Sequence, residues 1–493
     1  MSTLTSLAQL QAVASGVAQP LATVRHCHLA EAPLVMVPLK LAGEAAAPLA
    51  VMLGSDPGSP TLLVVPQPRN RDQRFAFAAD LARVALKYIE SSRGQVEELP
   101  PGKEGEERIR YSDAPQLLVP NRGGVAFLRM LGRSTRFRRT DGPYAVEPSV
   151  PVLGRWLTWF TDRYDHPGSC LLLTMTETLR LHWATGQSAL EDGNLAALVG
   201  WIDPPEGLTG PQAAALAEDP LATPPAGPTT DPGFDNEVLA PAVAAYDAAR
   251  GPARDRAEER VRAVLETQLA PTWELMWRAV GLLRGLPEGA SVPQRWERDR
   301  DSFTYFHQTF GEAYPQARRD SPVRAAKRLH DMERAQDAYD AQRAFDDPLV
   351  MAEHRLNGLA FGGEVTGCDP TRKDESGKRP KLRPHVWVRT GDPVRLDPGT
   401  TVCSAANPKI KGTVVEIGPD GAVLVELTGG MGRKLTPEPG TVPQVGDRVV
   451  FTSLTLGSFG PSRFPDKENT PWTHGGPPAD YEPTDDDAAE DWS

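Results

Sequence analysis

Residues 411–427 read KGTVVEIGPDGAVLVEL, which is the pattern of a β-hairpin in the C-terminal part of the chain. Two apolar strands flank the turn GPDG, whose glycines and proline suit a tight reversal. In the second strand apolar side chains occupy every second position, as expected for a strand with one buried face. A third strand, VGDRVVF, follows at 445–451. The pattern predicts a small β-barrel over residues 401–456.

These strands together resemble a KOW or SH3-like barrel of the kind found in translation and transcription factors. The resemblance covers residues 401–455, a small part of the chain. It implies the barrel fold and allows roles in translation, transcription or chromatin, because one fold can serve many functions.

The segment before the barrel carries a second resemblance. Residues 323–356 are dense in Arg, Asp, Glu and Gln with a sparse apolar stripe, which suits a helical stalk more than a globular core. A stalk beside a small barrel that touches nucleic acid is similar to part of the Upf-type superfamily 1 helicases. The chain has no GxxxxGK[ST] loop, because Gly377-Lys378-Arg379 lacks the upstream glycine and the Ser or Thr. The resemblance therefore implies the accessory part of such an enzyme.

Length and composition set further bounds. A chain of 493 residues is too long for one ordinary core, so we expect about two to four domains. Its four cysteines are far apart and form no CxxC pair, which argues against a disulfide framework or a cysteine zinc site. Without a long apolar run or a signal-peptide pattern, a cytoplasmic location is expected. Abundant Ala, Pro, Gly and Arg indicate a GC-rich bacterial genome.

Three strand-loop-helix units begin at Leu62, Leu117 and Leu171. They predict an N-terminal α/β domain with a partly parallel sheet. The first strand is continuously apolar to Val65, which indicates a strand covered on both faces. Asp72 is the predicted N-cap of the helix that follows.

The predicted fold class is a multidomain α/β plus α plus β protein, with a helical middle between the α/β domain and the barrel. Its predicted segments are an α/β domain at 1–205, a Pro/Gly-rich linker at 206–235, a helical domain at 236–356 with a stalk-like helix at 323–356, a basic linker or start of the barrel at 357–400, the barrel at 401–456 and a disordered acidic tail at 466–493.

Polar residues follow each of the three N-terminal strands. Because ligands of such sheets bind at the carboxyl ends of strands, these residues are candidates for an enzyme pocket. Helix capping and solvation explain most residues of this kind equally well. The candidates are Arg69, Arg71, Asp72, Asn121, Arg122, Thr174, Thr176 and Glu177.

Two other groups have the composition of a chemical site. The segment His26-Cys27-His28 has a spacing that can chelate a metal, but it has no third ligand, so a polar surface strand is expected. Cys170 follows Asp162, Asp165 and His166, which suggests a Cys-His arrangement. Because Cys170 opens an apolar strand, a buried structural cysteine is the expected role. No metal and no catalytic residue are predicted.

Residues 156–201 are rich in tryptophan. A stacking platform for bases would use such side chains. Large aromatic residues at helical spacing also fill hydrophobic cores, and this is the expected role here.

The formal net charge of −12 is unevenly distributed. Asp466 to Ser493 carries nine acids against one lysine, whereas Cys368 to Lys411 holds ten Lys or Arg against five acids. Two basic clusters are therefore predicted to contact nucleic acid, although solvated surface or pairing with the acidic tail would also explain them. The first is Arg133, Arg136, Arg138 and Arg139, helped by Arg129, and the second is Arg372, Lys373, Lys378, Arg379, Lys381, Arg383, Lys409 and Lys411.

From these features we expect a non-catalytic accessory or adapter component of a nucleic-acid-processing system, associated with a helicase or nuclease, with phage defence as one setting. It would contact DNA, RNA or a partner protein through the barrel and the basic linker, without a cofactor and without membrane contact. Two alternatives stay open. One is an enzyme with its pocket in the N-terminal α/β domain, and the other is a protein-protein scaffold.

Overall fold

A computed structural model describes residues 3–44, 47–101, 107–220, 223–310, 317–377, 379–456 and 464–470, together with 472, 476, 477, 479, 481 and 484. Lys378 and most of the predicted acidic tail therefore lie outside the described residues. The chain forms two compact units. The barrel unit comprises Met1–Leu7, Leu21–Val24 and Glu333–Ser462, and the sheet unit comprises Ala8–Pro20, Arg25–Met332 and Arg463–Ser493.

The strands are β1 (Gln19–Pro20), β2 (Leu34–Lys40), β3 (Pro48–Gly54), β4 (Thr61–Val64), β5 (Val96–Leu99), β6 (Arg108–Tyr111), β7 (Leu117–Val119), β8 (Leu172–Thr174), β9 (Trp183–Ala184), β10 (Ala360–Asp369), β11 (Lys373–Asp374), β12 (Lys381–Leu382), β13 (His385–Thr390), β14 (Thr401–Ser404), β15 (Lys411–Ile417), β16 (Ala422–Gly429) and β17 (Arg448–Thr452). The α-helices are α1 (Thr3–Ser15), α2 (Arg71–Ser91), α3 (Arg122–Thr135), α4 (Ser149–Tyr164), α5 (Met175–Arg180), α6 (Leu195–Ile202), α7 (Gly210–Glu218), α8 (Pro232–Phe234), α9 (Ala240–Ala248), α10 (Pro252–Arg284), α11 (Val292–Phe310), α12 (Pro322–Asp346) and α13 (Pro348–Leu356). Short 3-10 turns lie at Glu191–Gly193 and Lys467–Asn469, and a π-helical turn lies at Asp235–Leu239.

The sheet unit is built on a five-stranded sheet in the order β4-β3-β2-β7-β8. Strand β2 is parallel to β7 and β7 is parallel to β8, while β3 and β4 pair antiparallel. The predicted α/β domain with a partly parallel sheet is confirmed. The prediction that the strand at Leu62 is covered on both faces is wrong, because β4 lies at the sheet edge and is only half-buried. The strands buried along nearly their whole length are β2, β3 and β7.

Helices cover this sheet through apolar stripes. Helix α10 packs on β2, β3 and β4, and α3 packs against β2, β7 and β8. The N-cap of α2 is Asn70, whose side chain accepts a hydrogen bond from Gln73 N–H at 3.1 Å. Asp72, the predicted cap, lies in the first turn, where its charge suits the helix dipole. No helix in the described part of the chain is long and apolar enough to cross a membrane.

The tryptophan-rich region is hydrophobic core. Trp156 and Trp159 are buried, and both rings contact Phe303 and Phe306 of α11. The expected core role of these aromatic residues is confirmed, because a ring covered by other rings offers no face to a nucleic-acid base.

The segment predicted as one helix at 323–356 is divided into α12 and α13. The division lies at Asp347, which has extended backbone and accepts a hydrogen bond from Leu349 N–H at 2.9 Å. Pro348 explains the break, because proline disfavours helical backbone at the preceding residue and suits the first position of a new helix.

The segment predicted as a linker at 206–235 contains helices α7 and α8. It is also attached to the sheet, since Lys40 N–H donates to Pro228 O at 2.9 Å and Asn121 Nδ2 donates to Gly227 O at 3.0 Å.

The barrel unit contains a closed antiparallel barrel in the strand order β10-β13-β16-β15-β14-β17. The alternation predicted for β16 is observed, because Val423, Val425 and Leu427 are fully buried. The predicted turn before β16 is closed by Gly421, whose φ of +78° favours glycine. The predicted small barrel is therefore confirmed, and it takes strands from Ala360 onward.

Candidate functional site

Helices α3 and α4 cross at unusually close range in the sheet unit. An added Cβ at Gly154 of α4 would lie 2.3 Å from the backbone nitrogen of Arg136, and one at Gly132 of α3 would lie 3.0 Å from that of Thr158. Two glycines facing the partner helix permit this approach, because neither has a side chain to hold the backbones apart. The crossing brings the C-terminal end of α3 beside the middle of α4.

Two helix faces meet at this crossing. Arg129 and Arg133 lie one turn apart on α3 and Arg136 is its C-cap in helical backbone, which places the three on one face. Thr158, with Thr161 and Asp162, has the matching spacing on α4. The helix spacing therefore collects arginines on one side of the crossing and small polar residues on the other.

A cavity of about 970 Å³ opens at this point. A third segment, around the start of α12, completes it with further arginines. The described residues that line the cavity are Arg129, Arg133, Arg136, Phe137, Arg138, Thr158, Thr161, Asp162, Ala317, Arg318, Arg319, Asp320 and Arg328, which we call the arginine pocket. Its described lining has seven arginines and two aspartates, so the pocket is strongly positive.

Carboxylates compensate only part of this charge. Arg129 Nη2 donates to both oxygens of Asp165 at 2.8 Å, and Arg328 pairs with Asp320 at 3.1 Å. Arg133 and Arg319 form no ion pair with any residue that the structure describes. Both side chains are exposed, and although the Arg319 guanidinium lies 5.4 Å from the centre of the Tyr481 ring, neither charge is neutralised by a described carboxylate, so both can bind an anion.

Aromatic rings hold other arginines in place. The Arg136 guanidinium lies 4.4 Å from the centre of the Phe137 ring, and that of Arg318 lies 5.7 Å from it. Arg138 lies 5.1 Å from the ring of Phe75, and its Nε donates to Ser134 O at 2.8 Å. Ring contacts fix a guanidinium without neutralising its charge. Burial lowers the pKa of Arg136, which indicates a charge with reduced hydration.

Asp162 of α4 is a lining carboxylate of the pocket. Burial raises the pKa of Asp162, and the charge of Asp165 raises this pKa further. The positive charges of Arg328, Arg163 and Arg129 lower it. Asp162 is therefore more readily neutralised than an ordinary surface aspartate. Its protonation would leave the pocket still more positive when an anion enters.

The structure places the first predicted basic cluster largely in this pocket. Arg133, Arg136 and Arg138 line it, and Arg139 is exposed without being part of the lining. Sequence reasoning missed Arg318, Arg319 and Arg328. The pair Arg318-Arg319 was the only local signal, and no pattern in the sequence related it to residues 180 positions earlier.

The second predicted cluster belongs to the barrel unit, and part of it is engaged within the chain. Arg372 Nη1 pairs with Glu426 Oε2 at 2.6 Å, and Arg383 Nε lies 3.9 Å from Glu426 Oε1. Both guanidiniums also donate to backbone carbonyls, at Arg383 O and Thr428 O respectively. These two arginines therefore stabilise the barrel as well as carrying charge. The exposed members of the cluster are Lys373, Arg379, Lys381, Lys409 and Lys411, and Lys378 lies outside the described residues.

The strand-end candidates separate into two groups. Strands β3 and β2 lie between β4 and β7, so the ends of β4 and β7 are about 14 Å apart across the sheet. After β4, Arg69 pairs with Glu44 at 3.0 Å, and Arg71, next to Asp72, donates to Tyr144 O at 2.7 Å. These contacts account for the residues that follow β4.

The second group surrounds one carboxylate. Glu177 binds Arg122, Tyr164 and Thr174, with Thr174 Oγ1 donating to Glu177 Oε2 at 3.0 Å. Burial and this carboxylate raise the pKa of Tyr164 to about 12. Asn121 caps α3, and Thr176 N–H donates to Pro120 O at 3.1 Å. A carboxylate with three donors is suited to holding the strand ends together.

The histidine segment is not the expected surface strand. His26 is buried, and its backbone N–H donates to Nε2 of His182 at 3.0 Å. The Nδ1 of His182 lies 2.7 Å from Thr178 O and must carry the proton, so His182 is neutral. His28 stacks on Trp296 with ring centres 4.1 Å apart. Within the described ranges, no three His, Cys, Asp or Glu side chains are grouped as metal ligands.

Cys170 is a buried cysteine, as predicted. Its sulfur accepts a hydrogen bond from His28 N–H at 3.3 Å, and burial raises its pKa well above the usual value. Its backbone N–H donates to Asp299 Oδ2 at 2.6 Å, and Ser169 Oγ donates to Asp299 Oδ1 at 2.8 Å. Burial raises the pKa of Asp299 to about 6.

This buried aspartate gives a pH-dependent stability. Between about pH 4 and pH 6 the folded chain binds more protons at Asp299 than the unfolded chain does, so its contribution falls as the pH rises through 6. We expect the difference in free energy of unfolding between the native chain and Asp299→Asn to decrease by about 2.5 kcal/mol from pH 4 to pH 7. Urea unfolding followed by tryptophan fluorescence measures it. A difference that is constant with pH would contradict the prediction.

Comparison with protein-family models, with curated proteins and with solved structures gives no match to this chain. Function is therefore argued from the arginine pocket and its surroundings.

Proposed function

We propose that this chain binds nucleic acid in the arginine pocket and acts as a non-catalytic accessory component of a nucleic-acid-processing system. The observation that carries the proposal is the convergence of seven arginines and two aspartates on one cavity. Arginine suits this role because its planar guanidinium donates two parallel hydrogen bonds to a phosphate group. Consecutive phosphate groups of a strand would neutralise the positive charge that the two aspartates of the lining leave uncompensated.

The size of the cavity favours a single strand. At about 970 Å³ it lies at the upper end of ordinary ligand pockets, which accommodates a few nucleotides but not the width of a duplex. The neighbouring rings of Phe137 and Phe75 are partly covered by guanidiniums. Recognition would therefore rest on the phosphate backbone and show little sequence preference.

The barrel supplies a second surface in this proposal. Its strands resemble KOW and SH3-like barrels, and Lys373, Arg379, Lys381, Lys409 and Lys411 are exposed around it. A helicase or nuclease partner, or a further length of nucleic acid, would dock here. Because Glu426 engages Arg372 and Arg383, we expect this surface to contribute less affinity than the arginine pocket.

Binding of labelled 20-nucleotide DNA and RNA, single- and double-stranded, tests the proposal by fluorescence anisotropy. With about five phosphate contacts, affinity for single-stranded DNA should fall about 100-fold between 50 and 200 mM NaCl. We expect single strands to bind more tightly than duplexes of the same sequence. Absence of binding at 50 mM NaCl would overturn the proposal, and so would binding that does not change with salt. Displacement by inorganic phosphate alone at low concentration would indicate a small-ligand site.

A further inference from the structure

A residue of the C-terminal tail lies at the edge of the arginine pocket. The backbone N–H of Arg318 donates to the Tyr481 hydroxyl at 3.1 Å, and the Arg319 guanidinium lies 5.4 Å from the centre of the Tyr481 ring. Arg318 and Arg319 both line the pocket. The tail therefore contacts the pocket through two kinds of interaction, a hydrogen bond and a cation–π contact.

A residue just before the tail contacts α12. Phe464, two positions before the predicted tail, packs edge-to-face on His330 with ring centres 6.0 Å apart. His330 lies two residues after Arg328 on α12, and Arg328 lines the pocket. Phe464 and Tyr481, 17 positions apart in the sequence, thus contact α12 near Arg328 and the pair Arg318-Arg319 respectively.

Acidic residues surround Tyr481 in the sequence. Asp480 and Glu482 flank it, and Asp485, Asp486 and Asp487 follow within six positions. These five acids lie outside the described residues, and their separation from Tyr481 along the chain limits how far they can be from it. Four to six residues span at most about 14 to 21 Å, so the link to Tyr481 keeps these carboxylates within that distance of the edge of the pocket.

We infer that the acidic segment after Tyr481 is an internal competitor for the arginine pocket, with Tyr481 as its anchor. That the displaced ligand is nucleic acid rests on the proposed function, whereas the contact between the tail and the pocket rests on the observed position of Tyr481. Carboxylates and phosphates share the chemistry that a guanidinium recognises, since both present oxygens for bidentate hydrogen bonds. Bound nucleic acid would replace the carboxylates, and their release would free Tyr481 from Arg318.

A tethered competitor is effective even when its own contact is weak. The effective concentration of a segment joined by a short flexible linker is in the millimolar range. If the pocket is occupied by the tail in about ten molecules for each one in which it is unoccupied, the apparent affinity for nucleic acid falls by about the same factor. The competition should also disappear at high salt, because the carboxylates of the tail and the phosphates of nucleic acid would both bind the guanidinium groups through ionic contacts.

The test neutralises the tail in the full chain. Asp485→Asn, Asp486→Asn and Asp487→Asn together should tighten binding of a labelled 20-nucleotide single-stranded DNA by about tenfold at 50 mM NaCl. Tyr481→Ala should have a similar effect, and Tyr481→Phe a smaller one because the ring contact stays. The matched control is Asp255→Asn, Glu258→Gln and Glu266→Gln on exposed positions of α10, which changes the net charge equally. We expect the control to change affinity less than twofold.

A second measurement observes the tail contact directly. A fluorescein-labelled peptide of residues 476–493 should bind the tail-neutralised chain, and Arg318→Ala with Arg319→Ala should abolish that binding. The single-stranded DNA should displace the peptide. If DNA binds all chains equally and the peptide does not bind, the competition is overturned and the proposed function stands. If the peptide binds but no chain binds DNA, competition with nucleic acid is overturned together with the proposed function.

Discussion

Arg133→Glu combined with Arg319→Glu is expected to weaken binding of single-stranded DNA by about 100-fold at 50 mM NaCl. A hydrogen bond to a charged group contributes about 1.5 kcal/mol, and two of them account for that factor. Both side chains are exposed and form no ion pair with the described residues, so reversal of their charge should leave folding intact. Anisotropy titration measures the affinity, and the melting temperature verifies the fold.

The matched control for this prediction lies on the barrel. Lys373→Glu with Arg379→Glu reverses two exposed charges that the sequence also predicts to contact nucleic acid. We expect this variant to lose less than threefold in affinity for the same DNA. Equal losses in the two variants would mean that affinity follows overall charge. A larger loss in the barrel variant would mean that the principal contact with DNA lies on the basic surface of the barrel.

Gly154→Ala is expected to destabilise the sheet unit by about 3 kcal/mol or more. The new methyl group would lie 2.3 Å from the backbone nitrogen of Arg136 and 2.5 Å from Thr135 Oγ1. Backbone atoms cannot rotate away as a flexible side chain can, so α3 and α4 would have to move apart. Because this crossing positions Arg136, any folded fraction should also bind DNA more weakly. Urea unfolding followed by tryptophan fluorescence measures the stability.

Gly281→Ala provides the comparison for that variant. Gly281 lies inside α10, is exposed and has no atom within 4 Å of an added Cβ. Alanine at an open helical position should stabilise the chain by about 1 kcal/mol, because glycine loses more backbone entropy on folding. If Gly154→Ala were as well tolerated as Gly281→Ala, the close crossing of α3 and α4 would not be needed for stability.

Local patterns in the sequence predicted most of the architecture. The alternation of Val423, Val425 and Leu427 predicted a barrel strand, and the apolar runs at Leu117 and Leu171 predicted two strands of a partly parallel sheet, which the structure shows to be parallel neighbours. Such patterns succeed because a strand or helix buries one face and the period of that face is visible over a few residues. The edge position of β4 was not visible, because an apolar run does not show how many neighbours its strand has.

The candidate site was predicted only in part. The arginines around Arg133 and Arg136 were predicted as a basic cluster. Arg372 and Arg383 were predicted in the same way to contact nucleic acid, although both lie beside Glu426. Charge in a sequence shows how many guanidiniums a segment has, not which carboxylate lies beside each one. Ion pairs form between distant residues, so the remaining charge of a surface depends on the fold.

Most of the N-terminal strands, the small barrel and the uneven distribution of charge could be predicted from the sequence, because these depend on the chemistry of neighbouring residues. Which charges act together could be seen only in the folded chain. It joined Arg133 and Arg136 to Arg319 and Arg328 across about 190 positions through the glycine crossing of α3 and α4. It also brought Tyr481 to the same pocket. Contacts of this kind are set by the packing of whole elements, which no short stretch of sequence specifies.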